Sequence, residues 1–291
     1  MVDATVFVIT YNHAKYVSLC FQSILQQNTK RRLQIVWHDD ASTDDTIAIG
    51  EENLLNCPHE VVRIHRQVNS RLNGDSFMPN IFERSSGKYI FWLEGDDFWI
   101  STDKVDLQID ALDLHPHVNI CFTPAFIVSG MNADPTGVMA RHANIQTLYT
   151  LDQVILGDGG FMPSPSLCFR RNFLDVAPEW IFESVPVFDY PLQVLTSSPG
   201  GALYLPDITC GYRSNAEESW TSRVFNNPPK RMIFEAEFIS MLLQLHKTLP
   251  GHRGAIVQLA FNHLIALLGL SISLNDYSDL EKALLALKEI N

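Results

Sequence analysis

The chain has no Cys-x-x-Cys pair, no glycine-rich loop after its first strand-like segment, no internal repeat and no low-complexity tract. Each absence removes a class of protein. Without close cysteine pairs, a cysteine zinc site is not expected. The five cysteines are odd in number and widely spaced, and read as small core residues suited to a reducing, cytoplasmic compartment. Thr10-Tyr11-Asn12-His13-Ala14 follows the first apolar segment without a glycine. That sets aside a dinucleotide dehydrogenase and argues against a nucleotidyltransferase, because both cradle phosphates in glycine-rich backbone at this point.

Positive charge is scarce. Lys and Arg number 21 against 33 Asp and Glu, giving a formal net charge of −12. Such a surface repels phosphate backbones, so nucleic acid is not an expected partner. A nucleotide remains open, since a cation can bridge two sets of anions. The N-terminus lacks a basic stretch followed by an apolar one, so no signal peptide is expected. The longest apolar run, Ala255 to Leu274, is about long enough to span a bilayer. Gln258, Asn262 and His263 interrupt it, which predicts a buried or interfacial helix instead. Across 291 residues, 46% are hydrophobic and 19% charged, enough for a substantial core.

The first hundred residues alternate between two periods. Val6–Thr10, Leu33–Trp37, Val61–Ile64 and Tyr89–Leu93 read as strands. Between them lie helical spacings: Tyr16 to Ile24 with Asn12 upstream as a cap, a helix opened by Ser42 and Asp45 as a capping box, and a short helix over Asn80–Ser85. Strand–helix–strand alternation predicts an α/β fold with a mainly parallel sheet flanked by helices. Further on, Lys104–Leu114 reads as a helix and Asn119–Val128 as a strand. Asn226-Asn227-Pro228-Pro229 marks a boundary, followed by two or three amphipathic helices. The expected organisation is a domain over 1–225, with a nucleotide-binding half (1–100) and an acceptor half (101–225), and a helical extension over 226–291.

In parallel sheets ligands bind beyond the carboxyl ends of the strands. Two of these ends carry paired acids, Asp39-Asp40 and Asp96-Asp97. Paired carboxylates repel and are costly to desolvate unless a cation or hydrogen-bond donor compensates. Carboxylate oxygens suit hard cations such as Mg²⁺ or Mn²⁺, which in turn bind phosphate oxygens. Neighbours in an extended segment point to opposite sides, so one of Asp96 and Asp97 is expected to bind the metal and the other a nearby hydroxyl. Asp39-Asp40 either caps the second helix or reads the ring N–H of a uracil.

Val8-Ile9-Thr10-Tyr11-Asn12, the run Asp39 to Asp44, Leu93-Glu94-Gly95-Asp96-Asp97-Phe98-Trp99, Phe188-Asp189-Tyr190-Pro191-Leu192 and Gly211-Tyr212-Arg213 together resemble the inverting family-2 glycosyltransferases of the GT-A fold, of the kind that build bacterial surface polysaccharides. The resemblance covers roughly the first three quarters of the chain. It implies that Thr10, Tyr11 and Asn12 line the nucleotide site, with Tyr11 against the base. It also implies that Asp40 contacts the uracil, Asp96 the ribose and Asp97 a divalent metal (Mn²⁺ or Mg²⁺), with Asp189 as general base. An arginine after the third strand, Arg71 in preference to Arg66, faces the base or pyrophosphate. The implied partners are a nucleotide-sugar donor, expected to be a UDP-sugar, and a glycan or lipid-linked glycan acceptor.

Two departures qualify the match. Where relatives place a histidine after Tyr-Arg, this chain has Asn215, with Glu217 and Glu218 nearby. The Gln-x-x-Arg-Trp sequence of processive synthases is missing, which favours a single transfer. Asp189 also has a plain alternative as the cap of a helix beginning near Pro191, and Phe98, Trp99 and Trp220 read equally as a sugar platform or as core. A silent module that binds a nucleotide or glycan without turnover is the competing reading. The C-terminal helices are expected to cover the catalytic domain, with a homodimer contact or a peripheral docking face at the inner side of the membrane as alternatives.

Overall fold

The structure is a computed structural model that describes residues 2–70, 75–183, 185–214, 216 and 219–290. The predicted alternation is present. Strands β1 (Ala4–Thr10), β2 (Leu33–Asp39), β3 (Glu60–His65) and β4 (Tyr89–Glu94) run parallel in the order β3-β2-β1-β4. Helices α1 (Val17–Leu25), α2 (Thr46–Leu54) and α3 (Met78–Glu83) lie in the connections. After β4 come β5 (Phe98–Trp99), α4 (Lys104–Leu114), β6 (Ile120–Phe122), β7 (Ala125–Ser129), β8 (Asp134–Met139), β9 (Thr147–Tyr149), α5 (Leu151–Leu156), β10 (Cys168–Arg170), α6 (Asp189–Thr196), β11 (Ala202–Tyr204) and β12 (Cys210–Arg213). The main sheet extends as β4-β10-β6-β11-β9, with β10 antiparallel to both neighbours. A second sheet, β5-β12-β7-β8, stands beside the C-terminal end of β4.

Three sequence expectations change. The single strand over Asn119–Val128 is two strands belonging to different sheets, split at Thr123-Pro124. Proline has no N–H for a ladder bond, and the break lets the chain cross between sheets. Ser42 and Asp45 do not form a capping box. Asp45 precedes α2 without a side-chain cap bond, and the Ser42 hydroxyl donates to Asp39 Oδ2 at 2.6 Å. Asn12 likewise does not cap α1. It sits in the left-handed region (φ 55°), its N–H donates to Ser42 Oγ, and its Oδ1 accepts from the Thr43 N–H. These polar residues bind the ends of β1 and β2 to each other instead of opening helices.

The two faces of the sheet support separate cores. Val6, Val8, Ile35 and Trp37 face Phe21, Ile24 and α4, while Phe7, Val36, Ile90 and Trp92 face the other way. The alternation follows from the two-residue period of a strand. Helices α7 (Trp220–Phe225), α8 (Pro228–Thr248), α9 (Arg253–Leu274) and α10 (Leu280–Ile290) complete the chain. Phe234, Phe238, Met241, Leu242 and Leu245 of α8 are buried in the same cluster as Phe7 and Trp92. Helix α9 is long and apolar enough to cross a membrane by length and composition. One face, including Ile256, Leu259, Ala260, His263 and Leu267, is buried, while Phe261, Ile265, Leu268 and Ile272 are exposed.

Gly87 shows how closely the sheet is fitted. A Cβ there would lie 2.4 Å from the backbone carbon of Ala4 and the nitrogen of Thr5, and backbone in a central strand cannot give way. Gly87→Ala should therefore lose roughly 1–3 kcal/mol of stability, the usual cost of forcing extra volume into a close-packed interior. Denaturant unfolding of the two proteins would check this. Cys20, Cys121, Cys168 and Cys210 are buried and Cys57 is partly exposed, with no disulfide among them.

Candidate active site

A cavity of about 1240 Å³ opens beyond the carboxyl ends of β1, β2 and β4. Thr10, Tyr11, Asp40, Asp96, Asp97 and Asp189 all line it. Asn12 is not among the lining residues, in keeping with its role of holding the β1 and β2 ends together. Arg71 lies outside the described residues, as do Asn215, Glu217 and Glu218. The other arginine candidate, Arg66, is engaged. It donates to Asp75 at 2.8 and 2.9 Å and to the Val68 carbonyl, and lies 3.7 Å from Asp40.

The two acidic pairs have different characters. Asp39 is fully buried and accepts from Thr10 Oγ1 at 2.7 Å, the Ser42 N–H at 2.8 Å and Ser42 Oγ. Trp37 Nε1 donates in turn to Thr10 Oγ1. Asp39 therefore fastens the ends of β1 and β2. Asp40 faces the cavity, yet its oxygens accept from the Ser70 N–H (2.9 Å), Ser70 Oγ (2.8 Å) and Asn69 Nδ2 (2.9 Å). Burial acts to raise its pKa, but the His38 ring 3.8 Å away and the hydrogen bonds from Ser70 outweigh that and hold the carboxyl below its usual value. Neither acid caps α2.

The second pair sits in a tight turn at the end of β4, where an extended segment was expected. Oxygens of Glu94, Asp96 and Asp97 consequently converge to within 4.8 Å of one another. Gly95 makes this turn possible, because a Cβ would meet Thr10 Cγ2 at 2.6 Å and His13 Nδ1 at 2.7 Å. Asp97 Oδ1 accepts the Arg213 N–H at 2.7 Å from β12, and the Arg213 guanidinium donates to the Asp96 carbonyl at 2.9 Å. The second Asp97 oxygen is buried with no hydrogen-bond partner. Burial, then repulsion from Asp96 and Glu94, drives the Asp97 pKa well up. Burial and the charges of Asp96 and Asp189 push Glu94 to about 8. Three converging carboxylates, one with an orphaned buried oxygen, are the donor set a hard divalent cation requires.

Asp189 is the first residue of α6, so it is a helix-terminal acid and also a cavity residue. Phe188 occupies the N-cap position and makes no side-chain cap bond. Burial pushes the Asp189 pKa to about 6, against hydrogen bonds from the Tyr190 and Asp189 backbone and with a contribution from the Asp158 charge. Phe188 stacks on Trp92 at 5.5 Å, which fixes the approach of α6 to the sheet. Trp99 is core, 4% exposed and edge-on to Phe91.

Several contributors carried no signal in the sequence. Glu94 joins the acidic pair only because of the turn. His13 Nε2 lies 3.8 Å from Asp96. Arg223 of α7 places its guanidinium 5.6 Å from the Tyr11 ring centroid, covering the end of β1. One wall comes from the C-terminal helices, through Glu235, Phe238, Met241 and His263. Apart from Glu94, only contacts between residues distant in sequence reveal these.

The sequence pattern of glycosyl transferase family 2 matches residues 5–175. An uncharacterized Mycobacterium tuberculosis protein is 26% identical over 254 residues, covering 84% of this chain and 68% of that protein. Among solved structures, S. aureus TarS 1–349 in complex with UDP-GlcNAc aligns with a TM-score of 0.61 at 18% identity, over 93% of this chain and 73% of that one. The longer TarS structure is covered over 40% of its chain. The mannosyltransferase PcManGT from Pyrobaculum calidifontis, in complex with GDP-Man and Mn²⁺, aligns with a TM-score of 0.61 at 16% identity, over 94% of this chain and 74% of that one. At these identities the two structures establish a shared fold.

Proposed function

This chain belongs to glycosyl transferase family 2, and on that premise we propose that it moves one sugar from a nucleotide donor, a UDP-sugar, to an acceptor hydroxyl with inversion at the anomeric carbon. The observation that carries the reading is the convergence of Glu94, Asp96 and Asp97, with one Asp97 oxygen unpartnered, in the same cavity as Asp189. A divalent cation, Mn²⁺ or Mg²⁺, is the group that would relieve that repulsion, with Asp97 as its principal ligand. When bound, it supplies Lewis-acid stabilisation for charge developing on the departing diphosphate.

The chain's own residues do the rest. Thr10 and Tyr11 bound the nucleotide end, and Asp40, held by Asn69 and Ser70, presents its remaining acceptor capacity to the uracil. Asp96 accepts from the ribose. Asp189, with a pKa near 6, is ionised at neutral pH yet basic enough to take the acceptor's proton as its oxygen attacks. One carboxylate suffices, because direct displacement needs no covalent intermediate. The acceptor is a glycan or lipid-linked glycan that enters from the half over 101–225. Transfer is single, in keeping with the missing Gln-x-x-Arg-Trp sequence.

The test is a thermal-shift panel of UDP, GDP, CMP and dTDP, each with and without Mn²⁺. A ligand that binds only the native state raises the melting temperature by mass action. UDP should stabilise the protein only when Mn²⁺ is present. A response to GDP in place of UDP would move the donor to a GDP-sugar, and silence toward every nucleotide would sink the transferase reading.

A further inference from the structure

On the acceptor side of the cavity, three titratable residues from distant parts of the sequence meet. His263 of α9 lies with Nδ1 2.6 Å from Glu235 Oε2 of α8 and Nε2 3.4 Å from Asp158 Oδ2, just after α5. The His263 and Glu235 side chains are 10% and 4% exposed, so this is an internal clamp, while Asp158 reaches into the cavity at 46%. Behind Glu235, Arg231 Nε donates to its other oxygen at 3.2 Å. Burial alone would lower the imidazole pKa, but hydrogen bonds and charge from Asp158 and Glu235 overcome it and raise the value to about 9. The ring is thus charged at neutral pH and pairs with both acids, while Arg231 supplies a second positive charge at Glu235.

The clamp holds a segment that little else holds. Asp158 has φ 56°, the left-handed region that costs a non-glycine residue strain unless its surroundings impose it. Gly159 and Gly160 follow, and neither has an atom within 4 Å of where a Cβ would stand. The turn is fixed from its ends, by Asp158 Oδ1 accepting the Gly159 N–H at 2.7 Å, by the Phe161 N–H donating to the Asp158 carbonyl, and by His263.

From this clamp, contacts run without a gap to the helix that bears Asp189. The His263 ring stacks on Phe238 at 4.0 Å, and Phe238 meets Tyr190 at 5.1 Å. Tyr190 Oη donates to the Ile155 carbonyl at 3.1 Å, and Gln193 Nε2 donates to the Met162 carbonyl at 3.2 Å. Helix α6 is therefore bonded to the chain on both sides of the Asp158–Gly160 turn.

We infer that His263 is a positioning residue for sugar transfer: gripped between Glu235 and Asp158, it fastens the Asp158–Gly160 turn and, through Phe238 and Tyr190, sets the acceptor-side wall that faces Asp189. This rests on the transferase reading above. It makes the C-terminal helices part of the acceptor site, although they lie outside the segment that carries the family pattern.

The experiment compares the native chain with His263→Gln and with Asp158→Asn, which breaks the clamp from its other end without changing shape. Hydrogen exchange is read at residues 157–163 and 188–194, and UDP release from UDP-GlcNAc and UDP-glucose, with water taking the sugar in place of the acceptor hydroxyl, gives kcat and donor KM. Exchange in both segments should accelerate about tenfold or more in each variant, with β1, β2 and β4 unchanged. Turnover should fall by about 10–100-fold at unaltered donor KM, since a displaced acceptor wall spoils orientation and not donor binding. Unchanged exchange in Asp158→Asn, or a donor KM that worsens in step with kcat, overturns the proposal. If His263→Gln does not fold, Asp158→Asn decides alone. If the native chain turns over neither donor, the transferase reading is the part that suffers, and exchange still rules for or against the clamp.

Discussion

Asp189→Asn should abolish most transfer while leaving the protein as stable as before, or more so. General-base assistance contributes about 10²–10⁴-fold, and kcat should fall within that range. The amide cannot take a proton, but it matches the carboxylate in size at the start of α6. Burial is the largest influence on this group, and it raises the pKa from the ordinary aspartate value to about 6. The sign for stability follows. Between the unfolded and folded pKa values the native state binds the proton more tightly, so stability falls as pH rises through that window. Above about pH 6 the native protein bears the cost of a buried charge, and the asparagine variant does not. At pH 8 its melting temperature should equal or exceed that of the native chain, with the Mn²⁺-dependent response to UDP unaltered. In the native enzyme kcat should climb as pH rises through about 6, and that limb should be missing from the residual activity of the variant. Near-normal transfer by Asp189→Asn would remove Asp189 from the mechanism and leave it as a first-turn helix acid.

The second large effect belongs to Asp97. Its Oδ1 accepts the Arg213 N–H, and its Oδ2 is buried without a partner. Asn at this position keeps the bond to Arg213 and removes one of three converging carboxyl groups. Without metal, the variant should therefore melt at a higher temperature than the native chain, because burial and repulsion from Asp96 and Glu94 weigh against the ionised native carboxyl. With Mn²⁺ and UDP present the order should reverse. Metal affinity should drop roughly 100-fold or more, since even the loss of a partner that only supports a ligand costs 10–100-fold. Calorimetric titration of Mn²⁺ in the presence of UDP measures this directly. A variant that binds Mn²⁺ as well as the native chain would move the metal away from Asp97.

The parts of the site that are local in sequence were legible there. Strands β1, β2 and β4 end in short polar motifs, and a parallel sheet collects such ends along one edge. That is why Thr10, Tyr11, Asp40, Asp96 and Asp97 share one cavity, although the same reasoning pointed to Asn12, which does not line it. Asp189 came from its resemblance to a family motif, and the cavity places it with the others. What was hidden depends on backbone conformation or long-range contact. Turn geometry at Gly95 decides whether Asp96 and Asp97 diverge or converge, and the choice recruits Glu94. The capping signals at Asn12 and Ser42 were misleading for a related reason. Short polar side chains bond equally well to a neighbouring strand end as to a helix terminus, and here the Asp39 carboxylate offers the stronger partner. The break at Pro124 was marked by the residue itself, but not the transfer of the chain to a second sheet. Nothing local announces that Asp158, Glu235 and His263 meet, because three separate elements supply them.

The cysteine pattern has a practical outcome. Four thiols are buried, and only Cys57 is partly accessible. It lies just before β3, at the amino end of the parallel strands, whereas the cavity opens at their carboxyl ends. A maleimide dye or a surface tether should therefore attach to the folded chain at one point, on the side away from the cavity mouth. That gives an immobilised or fluorescent enzyme with an unobstructed mouth and without any engineered cysteine.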